Sequence, residues 1–172
     1  DGFDGRAASV HAAAGQHRLS VHRGWLAWDL RRDDPTRSGG ARWKLYVSPE
    51  VEALPGALHC VLALAPEWPA AVSVKVGADL AGLLRPDKCV VHFSTREQLD
   101  AAAARLAAEL GGMCAHGVPF SAEVAGGPLS WGVDPPGDRP ALQWLGTESW
   151  RLGITHRLAA ALRVARTAGP AA

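Results

Sequence analysis

Short segments in which hydrophobic and polar residues alternate recur along the chain, and such alternation is typical of half-buried β-strands. The clearest are residues 18–22, 25–30, 43–47, 72–76 and 88–93. The first two flank Arg23 and Gly24, which predicts a β-hairpin. In the other three, apolar residues occupy one face of the predicted strand, so polar side chains share the opposite face.

Helix signals separate and follow these strands. Ser48 and Pro49 have the form of an N-cap with proline at the first helical position, and Pro55 must kink this helix or delay its start. Residues 94–97 form a capping box before a second helix that ends at two glycines. A last helix is predicted from about residue 147 to residue 166.

The order of these elements predicts a single α+β domain, with a mixed or antiparallel sheet flanked by helices and preceded by the N-terminal β-hairpin. Residues 1–40 are predicted to form this β preface and a polar linker, and residues 41–172 the main domain.

Composition adds the class of protein. The chain has 172 residues, 48% of them hydrophobic, and a formal net charge of +1, which is typical of a soluble domain. Without a basic block, a membrane-length apolar run or a signal-peptide pattern, we expect neither nucleic acid nor a membrane as partner. Three widely spaced cysteines predict reduced thiols and a cytoplasmic location.

Cofactor motifs are not found in the sequence. The seven histidines and three cysteines show no zinc-ligand spacing, and no glycine-rich loop has the spacing that cradles a nucleotide. We therefore expect no metal ion and no organic cofactor.

Lysine is rare in this chain. Of the 18 basic residues, only Lys44, Lys75 and Lys88 are lysines, and each lies on a predicted strand, away from the apolar face. If the strands share a sheet, the three amines converge in a cationic cleft, where they lower one another's pKa so that one acts as a base. The alternative is a solvated sheet surface that these lysines keep soluble.

The ordered motifs resemble the Hop-type effector lyase-like family, which includes a type III secretion effector and stand-alone lyases of lanthipeptide and thioamitide biosynthesis. The same strands are similar to the lyase domain of class III lanthipeptide synthetases and to phosphothreonine lyase effectors. The resemblance covers about residues 42–165. It rests on Trp-Lys-Leu-Tyr-Val-Ser at 43–48, Val-Ser-Val-Lys-Val at 72–76, Arg-Pro-Asp-Lys-Cys-Val-Val-His-Phe at 85–93, Pro-Phe-Ser at 119–121, Gly-Pro-Leu-Ser-Trp-Gly-Val-Asp-Pro at 127–135 and Glu-Ser-Trp at 148–150.

The resemblance implies a role for each of the following residues. Lys75 matches the catalytic base and Lys44 the first-strand lysine, and Tyr46 occupies the position of a histidine acid. The residues expected to hold the phosphate are Lys88, Arg85, Arg151 and His156. For His156, which lies on the last predicted helix, the alternative is a side chain in solvent.

Three positions depart from the family pattern. Glu123 stands where a basic residue is expected, Arg151 where a glycine is expected and Ile154 where an arginine is expected. Two cationic positions are thereby lost.

The activity implied is that of a carbon–oxygen lyase, which eliminates phosphate from phosphoserine or phosphothreonine of a ribosomally made precursor peptide and leaves a dehydroamino acid. No kinase motif is present, so a separate kinase is expected as partner. Because of the departures, a catalytically degenerate subunit that binds the precursor (leader) peptide or the kinase is the alternative. A third reading is an unrelated α+β domain with surface lysines.

Overall fold

The computed structural model describes residues 12, 14–15, 17–22, 24–30, 43–124, 126–135 and 149–168. The chain divides into two units, Asp1–Gly132 and Val133–Ala172. The predicted linker and the boundary near residue 40 lie outside the described residues, so that division of domains stays a prediction.

Within the described residues, seven strands form a sheet. Their spatial order is β1-β2-β4-β5-β3-β7-β6. The strands are β1 (Arg18–His22), β2 (Trp25–Asp29), β3 (Trp43–Val47), β4 (Ala71–Gly77), β5 (Cys89–Phe93), β6 (Ala122–Glu123) and β7 (Leu129–Val133). Strands β1 and β2 pair antiparallel across the predicted hairpin, with His22 opposite Trp25. The antiparallel sheet and the hairpin confirm the predicted α+β class.

Four α-helices accompany the sheet in the described part of the chain. They are α1 (Leu54–Leu64), α2 (Leu80–Leu83), α3 (Arg96–Leu110) and α4 (Trp150–Ala168). Short 3₁₀ turns, Val51–Ala53 and Ala65–Glu67, flank α1. Helix α4 belongs to the second unit, where the backbone N–H of Trp150 donates to Asp134 Oδ1 at 2.8 Å.

The hydrophobic core lies between one face of the sheet and helices α1 and α3. Leu45, Val74 and Val91 of the central strands are fully buried in one cluster with Val61 of α1 and Leu106 of α3. These strand residues alternate with the polar positions, so the opposite face of the same strands is left for chemistry.

The predicted N-cap at Ser48 is wrong. The Ser48 hydroxyl donates instead to the carbonyl oxygen of Pro86, and Pro49 forms a β-bridge with Ala115. The first helix begins only at Leu54, with Pro55 in its first turn, because proline is tolerated there and not in a helix interior. The delayed start that Pro55 predicted is confirmed.

Helix α3 begins at Arg96, inside the predicted capping box rather than after it, and its N-cap is Thr95 instead of Ser94. The side-chain oxygen of Thr95 accepts a hydrogen bond from the backbone N–H of Gln98 at 3.3 Å. All three cysteines are free thiols, as their spacing predicted.

Candidate active site

Two rows of residues cross strands β3, β5 and β4 on the face opposite the core. In the first row, Lys44 lies opposite His92, which lies opposite Ser73. In the second row, Tyr46 and Lys75 both lie opposite Val90, one on each side. Because side chains alternate along a strand, all six belong to the same face. This face, defined by these six residues, is the candidate active site.

A β-bulge in β4 places Lys75 on this face. Ala71 lies opposite Phe93, but the register then shifts, so that Ser73 lies opposite His92. Val72 is the extra residue. Without this bulge, a regular strand that keeps Ala71 in the core would turn Lys75 into the core as well, and would turn Val74 and Val76 outward. The bulge therefore keeps both Ala71 and Val74 in the core while it exposes Lys75 at the site.

His92 lies within the electrostatic reach of two of the lysines. Its Nδ1 is 3.3 Å from the Ser73 hydroxyl oxygen. Burial, followed by the positive charges of Lys75 and Lys44, lowers the pKa of His92 to about 3. At neutral pH the site thus contains an uncharged imidazole beside Lys44 and Lys75. Alternation along β5 had placed this histidine on a polar face, but its position near both lysines follows from cross-strand register.

We expect this arrangement to make folding sensitive to acid. The pKa of His92 falls from an ordinary 6.5 to about 3 on folding, so the unfolded chain binds more protons between these values and stability is lost as pH falls through this window. Between pH 6.5 and pH 3, the free energy of unfolding measured in urea should fall by about 2 kcal/mol more for the wild-type protein than for His92→Gln. A shift of one pKa unit corresponds to about 1.4 kcal/mol, and we reduce the total because His92 is partly accessible to solvent.

His22→Gln, a change at an exposed histidine of β1, is the matched control and should leave the pH dependence of stability nearly unchanged. Parallel pH profiles for wild-type protein and His92→Gln would contradict the placement of a neutral His92 beside two ammonium groups.

Tyr46 has a largely buried side chain. It is 3% exposed and forms a cluster with Val90 and Val118. Trp25 of β2 packs against this cluster. The ring is therefore fixed by apolar neighbours on three separate segments of the chain. Tyr46 thus joins the site face to the loop that carries Val118.

Lys88 is fully buried at the entrance to β5. Its Nζ donates to the carbonyl oxygen of Pro49 at 2.9 Å and lies 2.8 Å from His116 Nδ1. Burial lowers the pKa of Lys88, against the opposing effect of the neighbouring Asp87 carboxylate. Its expected role in holding phosphate stays a prediction, and His116 is a neighbour that sequence reasoning missed.

Arg85 lies on the turn that follows α2. Its Nε and Nη2 each donate to the Asp87 carboxylate at 2.9 Å, and its guanidinium lies 5.1 Å from the ring centroid of Trp25. Pairing with Asp87 raises the pKa of Arg85. A guanidinium has five N–H donors, and this half-exposed side chain uses two of them for Asp87, so others remain to contact an anion.

The remaining predicted site residues lie elsewhere in the chain. Arg151 and His156 are on helix α4 in the second unit, and both are partly buried. Glu123 is exposed on β6. Among the described residues, no group of three histidine, cysteine or acidic side chains is arranged to hold a metal ion. Within the same residues, no helix combines the length and apolar character needed to cross a membrane.

No protein-family model and no curated protein sequence matches the chain. Among solved structures, it resembles the type III effector and phosphothreonine lyase OspF from Shigella flexneri, with a TM-score of 0.52 and 13% identity over 67% of this chain and 68% of that chain. It also resembles the Salmonella plasmid virulence C protein, with a TM-score of 0.52 and 17% identity over 77% and 69% of the two chains. The chain therefore has a fold like that of the phosphothreonine lyases.

Proposed function

We propose that this protein is a lyase that eliminates phosphate from phosphothreonine or phosphoserine in a ribosomally made precursor peptide. The observation that carries the proposal is the pair Lys44 and Lys75, which lie beside the uncharged His92 on one sheet face in a fold like that of phosphothreonine lyases.

The elimination requires a base at Cα and positive charge at the phosphate. In our proposal the Lys75 ammonium first gives up its proton to solvent, and the resulting neutral amine takes the Cα proton. The electron pair of the broken C–H bond forms the Cα–Cβ double bond, and the Cβ–O bond breaks. Phosphate leaves with both electrons of that bond. The product is dehydrobutyrine from phosphothreonine or dehydroalanine from phosphoserine, and no oxidant, metal or organic cofactor is needed.

Lys44 and Arg85 would stabilise the departing phosphate through charge-assisted hydrogen bonds. Tyr46, two residues from Lys44 on the same strand face, would donate its phenolic hydrogen bond near the leaving oxygen. Lys88, Arg151 and His156 are further candidates for phosphate contacts. This division of roles follows the resemblance of residues 43–48, 72–76 and 85–93 to the lyase family.

The partners belong to the proposal as well. A lyase of this kind needs a phosphorylated substrate, so a separate kinase would act on the precursor peptide first, in the manner of the lanthipeptide and thioamitide pathways. We place both steps in the cytoplasm, where free thiols such as Cys60, Cys89 and Cys114 persist.

The second candidate function is a binding subunit without catalysis. The burial of Lys88 favours it, because an ammonium held by Pro49 and His116 is withdrawn from a bound phosphate. Such a subunit would hold the precursor peptide or the kinase.

Mass spectrometry separates these functions. Wild-type protein, incubated with a phosphothreonine peptide, should yield a product that has lost phosphoric acid, and a thiol should add to its new double bond. For the biological substrate, the precursor peptide is expressed with its kinase, with and without this protein. Phosphopeptide that stays intact but is retained by the protein would indicate the binding subunit and contradict the lyase.

A further inference from the structure

A cavity of about 340 Å³ lies at the end of the sheet that carries β6 and β7. It is formed by the loop before β6, by β6 itself and by the turn into β7, all within the first unit. This volume falls within the range of small-ligand pockets, about 300–1,000 Å³. The polar side chains of its lining are His116, Ser121, Glu123 and Ser130.

The cavity shares its wall with the candidate site. Val118 lines the cavity and also packs in one cluster with Tyr46. His116 lines it too, and its Nδ1 lies against the Nζ of Lys88. A group bound in this cavity would therefore lie one side chain away from Tyr46.

The charge of the cavity is opposite to that of the site. Glu123 supplies a carboxylate, and no other lining residue is acidic. A charged Lys88 ammonium donates its hydrogen bond, so His116 then accepts it at Nδ1 and carries its own N–H on Nε2. Ser121 and Ser130 add hydroxyls, whose oxygens are 2.8 Å apart. The Nε2–H of His116 is a donor and does not attract a cation, but the Glu123 carboxylate and the serine oxygens suit one, whereas Lys44 and Lys75 of the candidate active site suit an anion.

The backbone around the cavity is held in an unusual conformation. Phe120, a non-glycine residue, has a φ of 64°, and the lining residues Gly117 and Gly127 have φ values of 76° and 123°. The Ser121 hydroxyl donates to the carbonyl oxygen of Val118 at 2.5 Å and fixes this loop. Non-glycine residues in left-handed conformations cost energy and cluster at functional sites.

We propose that this cavity is a specificity subsite that takes a lysine or arginine side chain of the phosphopeptide, with Glu123 as its counter-ion. The proposal rests on the proposed function, because it assigns to the substrate of that reaction a basic residue close to the phosphorylated one. The carboxylate at position 123 then selects among substrates rather than merely weakening a phosphate site.

The test compares phosphothreonine peptides that differ at one neighbouring position, occupied in turn by lysine, norleucine or glutamate. Fluorescence anisotropy of labelled peptides gives the dissociation constant, and phosphate release gives kcat/KM. Wild-type protein should bind the best-placed lysine peptide about tenfold more tightly than its norleucine counterpart. Glu123→Gln should remove this preference, and Glu123→Lys should transfer it to the glutamate peptide. Glu67→Gln, at an exposed glutamate of a 3₁₀ turn, should retain it.

The two readouts distinguish the subsite from the lyase. A lysine preference in binding that depends on Glu123, without phosphate release, would support the subsite and contradict the lyase. Phosphate release with equal binding of all three peptides at every position would support the lyase and overturn the subsite. A lysine preference that survives Glu123→Lys would also overturn it.

Discussion

Replacement of Lys75 by alanine should lower kcat/KM for phosphate elimination by about 10³-fold, the usual contribution of a general base. The resemblance assigns to Lys75 the role of the base that removes the Cα proton. The β4 bulge places Lys75 on the site face, in the same row as Tyr46. Because its side chain is partly exposed and outside the core, the free energy of unfolding should change little.

The measurement is a continuous assay of phosphate release from a phosphothreonine peptide, with the peptide product checked by mass spectrometry. Lys75→Arg should be as inactive as Lys75→Ala, because a guanidinium cannot lose its proton in this pH range. Arg105→Ala, on the exposed side of α3, is the control for loss of positive charge and should keep full activity. Retention of wild-type activity in Lys75→Ala would require another base.

The sequence predicted which face of each central strand is polar, because alternation is a local property. The same pattern did not show that the strands share one sheet in the order β2-β4-β5-β3-β7, since strand order depends on contacts between distant segments. The place of His92 between Lys44 and Ser73 follows from that order. Nor did alternation show the bulge at Val72, which adds a residue to the period of two.

The surroundings of Lys88 could not be predicted from the alternation of residues along β5. Alternation grouped it with His92 on one polar face, but strand β5 begins at Cys89, so position 88 precedes the regular strand. The Lys88 side chain is buried there. Its Nζ hydrogen-bonds to the carbonyl oxygen of Pro49, in the segment before α1, and to Nδ1 of His116, in the loop before β6. Both partners are distant in sequence, and no periodicity within residues 88–93 carries information about them.

Gly77→Ala should strongly destabilise the protein. A Cβ at position 77 would lie 2.4 Å from the carbonyl carbon of Gly82, and 2.7 Å from both its Cα and its carbonyl oxygen. These are backbone atoms in α2, and Asp79 Oδ1 holds the N–H of Gly82 at 2.7 Å. The strand and the helix must therefore separate, which should cost about 3 kcal/mol in the free energy of unfolding measured in urea.

Gly112→Ala is the matched control, because a Cβ at position 112 meets no atom within 4 Å; its stability should stay within about 0.5 kcal/mol of wild type. The close contact also affects the site, because Gly77 N donates to the carbonyl oxygen of Lys88 at 2.9 Å and α2 leads directly into the turn that carries Arg85. At temperatures where Gly77→Ala remains folded, phosphate release should therefore fall as well. Unchanged stability in Gly77→Ala would mean that β4 and α2 do not approach this closely, and the placement of Arg85 and Lys88 would then need revision.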